Sequence, residues 1–218
     1  MNNSLILNVS KKIKAVTLQI TYSIIMRRIL KWIIGVKFDK ADFLLNEEQF
    51  IIVANHNSHL DTMTLLSSIP SKILPKVKPV AAADYFGNTK LKAALSNYFV
   101  NTLLISRSQA SSAIRQMQKA LDDGYSLIIY PEGTRGNPDE EQELKPGIAL
   151  LLSLCPRIKY IPAYMKGIGK AMPKNDSLII PYNSSLKYGQ PTFIQSRDKK
   201  EILKQIESDF LELKRLNN

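Results

Sequence analysis

The strongest constraint on this chain is the way short apolar runs alternate with helical patterns along its length. Phe50–Ala54, Pro79–Ala83, Thr102–Ile105, Ser126–Tyr130, Tyr160–Tyr164 and Ser177–Ile180 read as strands, and Pro191–Gln195 as a further candidate. Between them Ala110–Asp123 reads as a helix, because Ile114, Met117 and Leu121 share a face and Gly124 stands at the C-cap position. Gly147–Leu154 and Asp198–Leu216 read as helices too, the second opened by Asp198 with Glu201 three residues on. Strands interleaved with helices predict an α/β fold, with a mixed, largely parallel central sheet flanked by helices.

Residues 12–36 read as one more helix. Leu18, Tyr22, Ile25, Ile29, Trp32 and Val36 recur at four- and three-residue steps and form an apolar stripe, with Arg27 and Lys31 opposite and Arg28 at its flank. An apolar stripe, a basic back and a lone Trp suit an amphipathic helix lying in the headgroup plane of a membrane; packing on the protein's own core is the other reading. Charge enters here. The chain carries a formal +11, and residues 1–40 hold eight basic side chains against the single acidic Asp39. Such a surface concentrates anionic partners, whether nucleic acid, anionic lipid or phosphorylated cofactors. The division expected is a basic membrane-associating segment over 1–40 and one domain over 41–218. Neither a secretory signal pattern nor an apolar stretch approaching the ~18 residues of a spanning helix is visible. A single cysteine, Cys155, excludes an internal disulfide and thiolate-rich metal clusters.

The chain's two histidines lie three residues apart in Asn55-His56-Asn57-Ser58-His59-Leu60-Asp61, just after a strand and before the apolar run Met63–Ile69. The C-terminal ends of strands are where α/β folds place their chemistry. A histidine supplies a base near neutral pH, and a carboxylate fixes its tautomer and balances the imidazolium. Two rival readings use the same residues. Ser58-x-x-Asp61 is a capping-box-like pattern that stabilises a helix start. His56, His59 and Asp61 also make a conceivable metal site, though His-x-x-His is too tight for an i, i+4 pair and brings no further His or Cys.

A second cluster follows Ser126–Tyr130: Pro131-Glu132-Gly133-Thr134-Arg135-Gly136. Proline ends the strand, two glycines permit close backbone approach, and Thr134 and Arg135 remain as donors suited to phosphate oxygens. Arg107 after Thr102–Ile105, and Lys145 ahead of Pro146-Gly147, are two more basic residues at the ends of apolar runs.

These residues resemble the glycerolipid acyltransferase family. Its first block, Asn-His-x-Ser-x-x-Asp, stands as Asn55 to Asp61, and its third, an aromatic followed by Pro-Glu-Gly-Thr-Arg, as Tyr130 to Arg135. His56 and Tyr130 are 74 residues apart, in the family's order. Leu103–Arg107 fits the second block, Tyr160–Tyr164 fits the fourth loosely, and the resemblance covers about residues 50–165. Ser106 and Gly136 depart from common residues of the pattern, which bears on the acceptor rather than on the catalytic pair.

The resemblance implies transfer of a fatty-acyl group from acyl-CoA or acyl carrier protein to the hydroxyl of a lysophospholipid. The acceptor implied first is 1-acylglycerol-3-phosphate, with glycerol-3-phosphate or another lyso-lipid as alternatives. It implies His56 as general base and Asp61 as its partner, without a covalent enzyme intermediate, cofactor or metal. Asn55, Ser58, Glu132, Gly133 and Thr134 would line the substrate site, Asn55 as a candidate oxyanion donor and Glu132 as partner of an arginine. Arg107, Arg135 and Lys145 would hold the acceptor phosphate, and His59 is left without a role. The implied setting is the cytoplasmic face of a membrane with anionic lipid, reached as a monotopic or peripheral protein. Outside this class stand a metal-dependent hydrolase built on the two histidines and Asp61, and a non-catalytic basic protein. No nucleic-acid-binding signature accompanies the charge.

Overall fold

A computed structural model describes residues 3–83, 90–106, 109–138, 140, 142–173 and 178–217. Seven strands form one sheet: β1 (Val36–Phe38), β2 (Phe50–Ala54), β3 (Val77–Ala82), β4 (Leu103–Ile105), β5 (Ser126–Ile129), β6 (Lys159–Lys166) and β7 (Ser184–Tyr188). Their spatial order is β1-β7-β6-β2-β5-β3-β4. All neighbours run parallel except β6 and β7, which pair antiparallel. The expected mixed, largely parallel sheet is what forms.

Strand β2 lies at the centre and is buried along its whole length, as a strand covered on both faces must be. Its alternation divides the core. Phe50, Ile52 and Ala54 face one layer with Leu65 and Leu66 of helix α3 (Leu60–Ser68). Ile51 and Val53 face the other with α5 (Ala110–Asp122), α6 (Pro146–Leu154) and α8 (Lys199–Leu216). The remaining helices are α1 (Asn3–Gln19), α2 (Arg27–Ile29), α4 (Lys90–Val100) and the short α7 (Ile168–Ala171). Helix α8 starts as its sequence predicts: Asp198 accepts from the amides of Lys200 and Glu201 at 2.7 and 3.1 Å. None of the described helices is long and apolar enough to cross a membrane.

Four expectations are corrected. Leu178–Ile180 form no strand and are exposed, Ser177 lying outside the described residues. Pro191–Gln195 contributes only a bridge between Thr192 and Tyr160. Strands β1 and β7 were not expected. They exist because Gly35, at φ 91°, takes the left-handed conformation that ends the helix and lets Val36 enter the sheet against Ser184.

The fourth correction concerns the N-terminal helix, which runs over residues 3–34 and contains two π-helical stretches, Ile20–Met26 and Leu30–Ile34. Wider π turns slip the phase of an α-helical stripe. Leu18 and Tyr22 are buried as the stripe predicts, but the next buried residues are Leu30 and Ile34, whereas Ile25 and Trp32 are exposed. Arg27 does not join a solvated basic back: its guanidinium donates to the Ser67 carbonyl at 2.7 Å and lies over the Phe38 ring. The outward face instead carries Ile6, Val9, Ile13, Val16, Ile20 and Ile24, a continuous ridge at three- and four-residue steps.

Candidate active site

The site forms where β2 and β5 end side by side, Val53 paired with Ile129. From β2 the chain turns through residues 55–59 into α3. Asp61, in the first turn of α3 and 1% exposed, directs Oδ2 back at that turn. This one oxygen accepts from the backbone amides of Asn57 at 2.6 Å and Ser58 at 2.8 Å, and meets His56 Nδ1 at 2.9 Å. Capping and orienting the histidine are therefore one arrangement: the amides lock the carboxylate, and the carboxylate locks the imidazole. With Nδ1–H committed to Asp61, Nε2 is the ring nitrogen left for proton transfer.

Tyr130, at the end of β5, stacks on the imidazole with ring centroids 4.0 Å apart and a 16° interplanar angle. Its hydroxyl is tied to Thr62 at 2.9 Å. The histidine is thus held along its edge by Asp61 and across its face by Tyr130. The sequence carried a signal for this contact, the aromatic immediately before Pro131, but residue type alone does not reveal stacking.

Glu132 is buried and does not partner an arginine among the described residues. Its Oε2 accepts from the His56 amide at 3.1 Å and from Gln142 Nε2 at 2.6 Å. Burial, reinforced by the nearby charge of Asp61 and opposed by the amide hydrogen bond, pushes its carboxyl up to about 8. Near neutral pH the neutral, protonated form of Glu132 is therefore favoured.

Asn55 and Ser58 serve the framework. The Asn55 carboxamide accepts from the Met165 amide at 2.7 Å and donates to the Met165 carbonyl at 2.9 Å, stitching β2 to β6. Its oxygen and one of its N–H groups are thus committed to the Met165 backbone. Ser58, wholly buried, donates to the Met172 carbonyl at 2.8 Å and accepts from the Leu60 amide at 3.2 Å, so its hydroxyl faces protein rather than substrate.

The basic rim is partly assembled. Gly133, at φ 74°, turns the chain so that its amide donates to the Tyr130 carbonyl at 3.1 Å. Thr134 is exposed, and the Arg135 guanidinium meets His59 Nε2. His59 thereby acquires a partner, and its ring nitrogen is turned to the arginine rather than converging with His56 and Asp61 as a metal site would need. The Lys145 amide donates to the Pro131 carbonyl at 2.8 Å, bringing its exposed side chain beside Gly133. Arg107 lies outside the described residues.

An imidazole–carboxylate pair thus stands at the C-terminal end of a central parallel strand of an α/β protein, with the Arg135 guanidinium and the Lys145 side chain nearby. The chain belongs to the acyltransferase family, whose model matches residues 35–182. It is similar to the 1-acyl-sn-glycerol-3-phosphate acyltransferase of Cocos nucifera, 27% identical over 177 residues covering 78% of this chain and 54% of that protein. The beta form of the same enzyme from Homo sapiens is 26% identical over 148 residues, covering 62% of this chain and 48% of the relative. The chain thus spans about half the length of these curated relatives. In fold it resembles the crystal structure of PlsC, the 1-acyl-sn-glycerophosphate acyltransferase of Thermotoga maritima, with TM-score 0.71 and 20% identity over 93% of this chain and 79% of that one.

Proposed function

We propose that this protein acylates the free hydroxyl of 1-acylglycerol-3-phosphate from an acyl thioester, giving phosphatidic acid for phospholipid synthesis. The observation that carries the reading is the His56 Nδ1–Asp61 Oδ2 contact of 2.9 Å, which leaves Nε2 as the base. Nε2 takes the acceptor's hydroxyl proton as its oxygen bonds to the thioester carbonyl carbon. The tetrahedral intermediate collapses, the C–S bond breaks, and the imidazolium returns its proton to the departing thiolate. Asp61 stabilises the transient imidazolium, and a protonated Glu132 adds no second negative charge. Arg135 and Lys145 hold the acceptor phosphate with Thr134 and the Gly133 turn, together with Arg107 as the family resemblance implies. The donor is acyl-CoA or acyl carrier protein.

Substrates that carry acyl chains support a peripheral or monotopic position on a membrane surface, and the cytoplasmic face is part of the same proposal. The ridge from Ile6 to Ile24, with Trp32 76% exposed and Ile33 beside it, suits insertion at the headgroup boundary, and Lys31 and Arg28 suit anionic lipid. This face differs from the stripe expected from periodicity.

The test is acyl transfer from labelled oleoyl-CoA, and from an acyl carrier protein donor, to a panel of 1-acylglycerol-3-phosphate, glycerol-3-phosphate and other lyso-lipids. Transfer to the first acceptor, reduced ~10²-fold or more by His56→Ala as for a general base, is the expected result. Transfer that survives His56→Ala removes the proposed base; no transfer from either donor removes the reading.

A further inference from the structure

Gln142 lies outside every motif recognised in the sequence, on the segment that leads to α6. Its Nε2 nevertheless reaches the centre of the site, donating to Glu132 Oε2 at 2.6 Å and approaching the His56 carbonyl at 3.5 Å. The same carbonyl accepts from the Gly136 amide at 2.9 Å. The two peptide groups of His56 are therefore held from opposite directions: its N–H by Glu132, its C=O by Gly136, with Gln142 bridging both. Gly136 is also what makes room for the bridge. A Cβ at position 136 would collide with the Gln142 side chain, from Cγ to Nε2. The obstructing atoms are the far end of a flexible side chain, so a larger residue there would expel Gln142 rather than break the backbone.

We infer that Gln142 is a positioning residue for the general base, and that Gly136 and Gln142 work as a matched pair, the missing side chain of one being the seat of the other. The inference rests on His56 being the base of the proposed reaction. Gln142 touches no reacting atom. It acts by fixing the peptide that carries His56, and so the aim of Nε2, where a displacement of a fraction of an ångström slows chemistry without altering substrate capture. Sequence inspection misses it because Gln142 belongs to no block and its contacts are made only on folding.

Three variants test this: Gln142→Met, which keeps length and removes the donor; Gly136→Ala, which displaces Gln142; and the double variant. Steady-state kinetics and the ring resonances of His56 are read together, assignment being simple in a chain with two histidines. Gln142→Met should lower kcat about tenfold, the loss of one hydrogen bond to a buried acid, with KM within about twofold, and should shift the His56 resonances. Gly136→Ala should reproduce both effects, and the double variant should be no worse than either single one. A purely structural role would lower stability and leave kcat and the His56 resonances in place; either that result or additive losses would overturn the inference. The resonances report on Gln142 even if the wild type transfers no acyl group, so the two proposals fail separately.

Discussion

Glu132 offers a test of the site's electrostatics that does not depend on the substrate. Its carboxyl is raised from an ordinary 4.5 to about 8, burial being the main cause. Between those two values the native protein keeps a proton that the unfolded chain has released. The raised value therefore works against stability as pH rises: the contribution is intact below about 4.5, falls through the window, and levels off above about 8. One proton's difference corresponds to about 1.4 kcal/mol per pH unit, so from pH 5 to pH 7 the native state should lose about 2 kcal/mol through this residue alone. Glu132→Gln is the matching perturbation. Its carbonyl still accepts from His56 and Gln142, while the titration disappears. Urea unfolding followed by far-UV circular dichroism, which avoids dependence on the exposed Trp32, gives both stabilities across the range. The difference between variant and wild type should grow by about 2 kcal/mol in the variant's favour from pH 5 to pH 7, other titrations cancelling. A difference that stays flat within about 0.5 kcal/mol would mean that Glu132 is ionised in the native protein and that two negative charges flank His56.

Three further outcomes follow from the geometry. Asp61→Asn should lower kcat by about 10²-fold or more, measured with the labelled thioester, whereas Asp61→Ala should also cost about 1–3 kcal/mol because it strands the buried amide of Ser58 and the part-buried amide of Asn57. Gly133→Ala should destabilise by about 1 kcal/mol, read as a lower Tm, since φ of 74° disfavours a Cβ. On the N-terminal helix, Arg27→Ala should destabilise by about 1–2 kcal/mol, read as a lower Tm, with little effect on vesicle binding, while Ile13→Asp with Ile20→Asp should abolish vesicle flotation at unchanged Tm.

What the sequence displays, and what it hides, divides along physical lines. Strand β2 and the turn to Asp61 are legible because five apolar residues stop at a polar cluster, a local pattern with one sensible reading. Helices α5 and α8 announce themselves by a single face and by caps. Strand β7 escapes because buried Ser184 stands where an apolar residue would mark the inward face, and its partner β1 is too short to signal by itself. The helix phase after Tyr22 is lost because a wide turn leaves no trace in composition. Glu132 was legible as a site residue but not in its partner: whether a glutamate meets a guanidinium or a peptide N–H is decided by chain segments remote in sequence.

The π-helical stretches also make the N-terminal helix a device whose angle is set by residue count. Each residue added to or removed from an α-helix turns everything beyond it by ~100°. A single deletion that also returned Ile20–Met26 to α-helical winding would leave the Ile6–Ile20 ridge facing nearly as it does, because a π turn only takes up the extra residue, whereas a deletion that left the π winding in place would swing the ridge about the axis relative to Leu30 and Ile34. Residue count and π winding together thus act as a torsional setting, fixing where the ridge points relative to the His56–Asp61 pair.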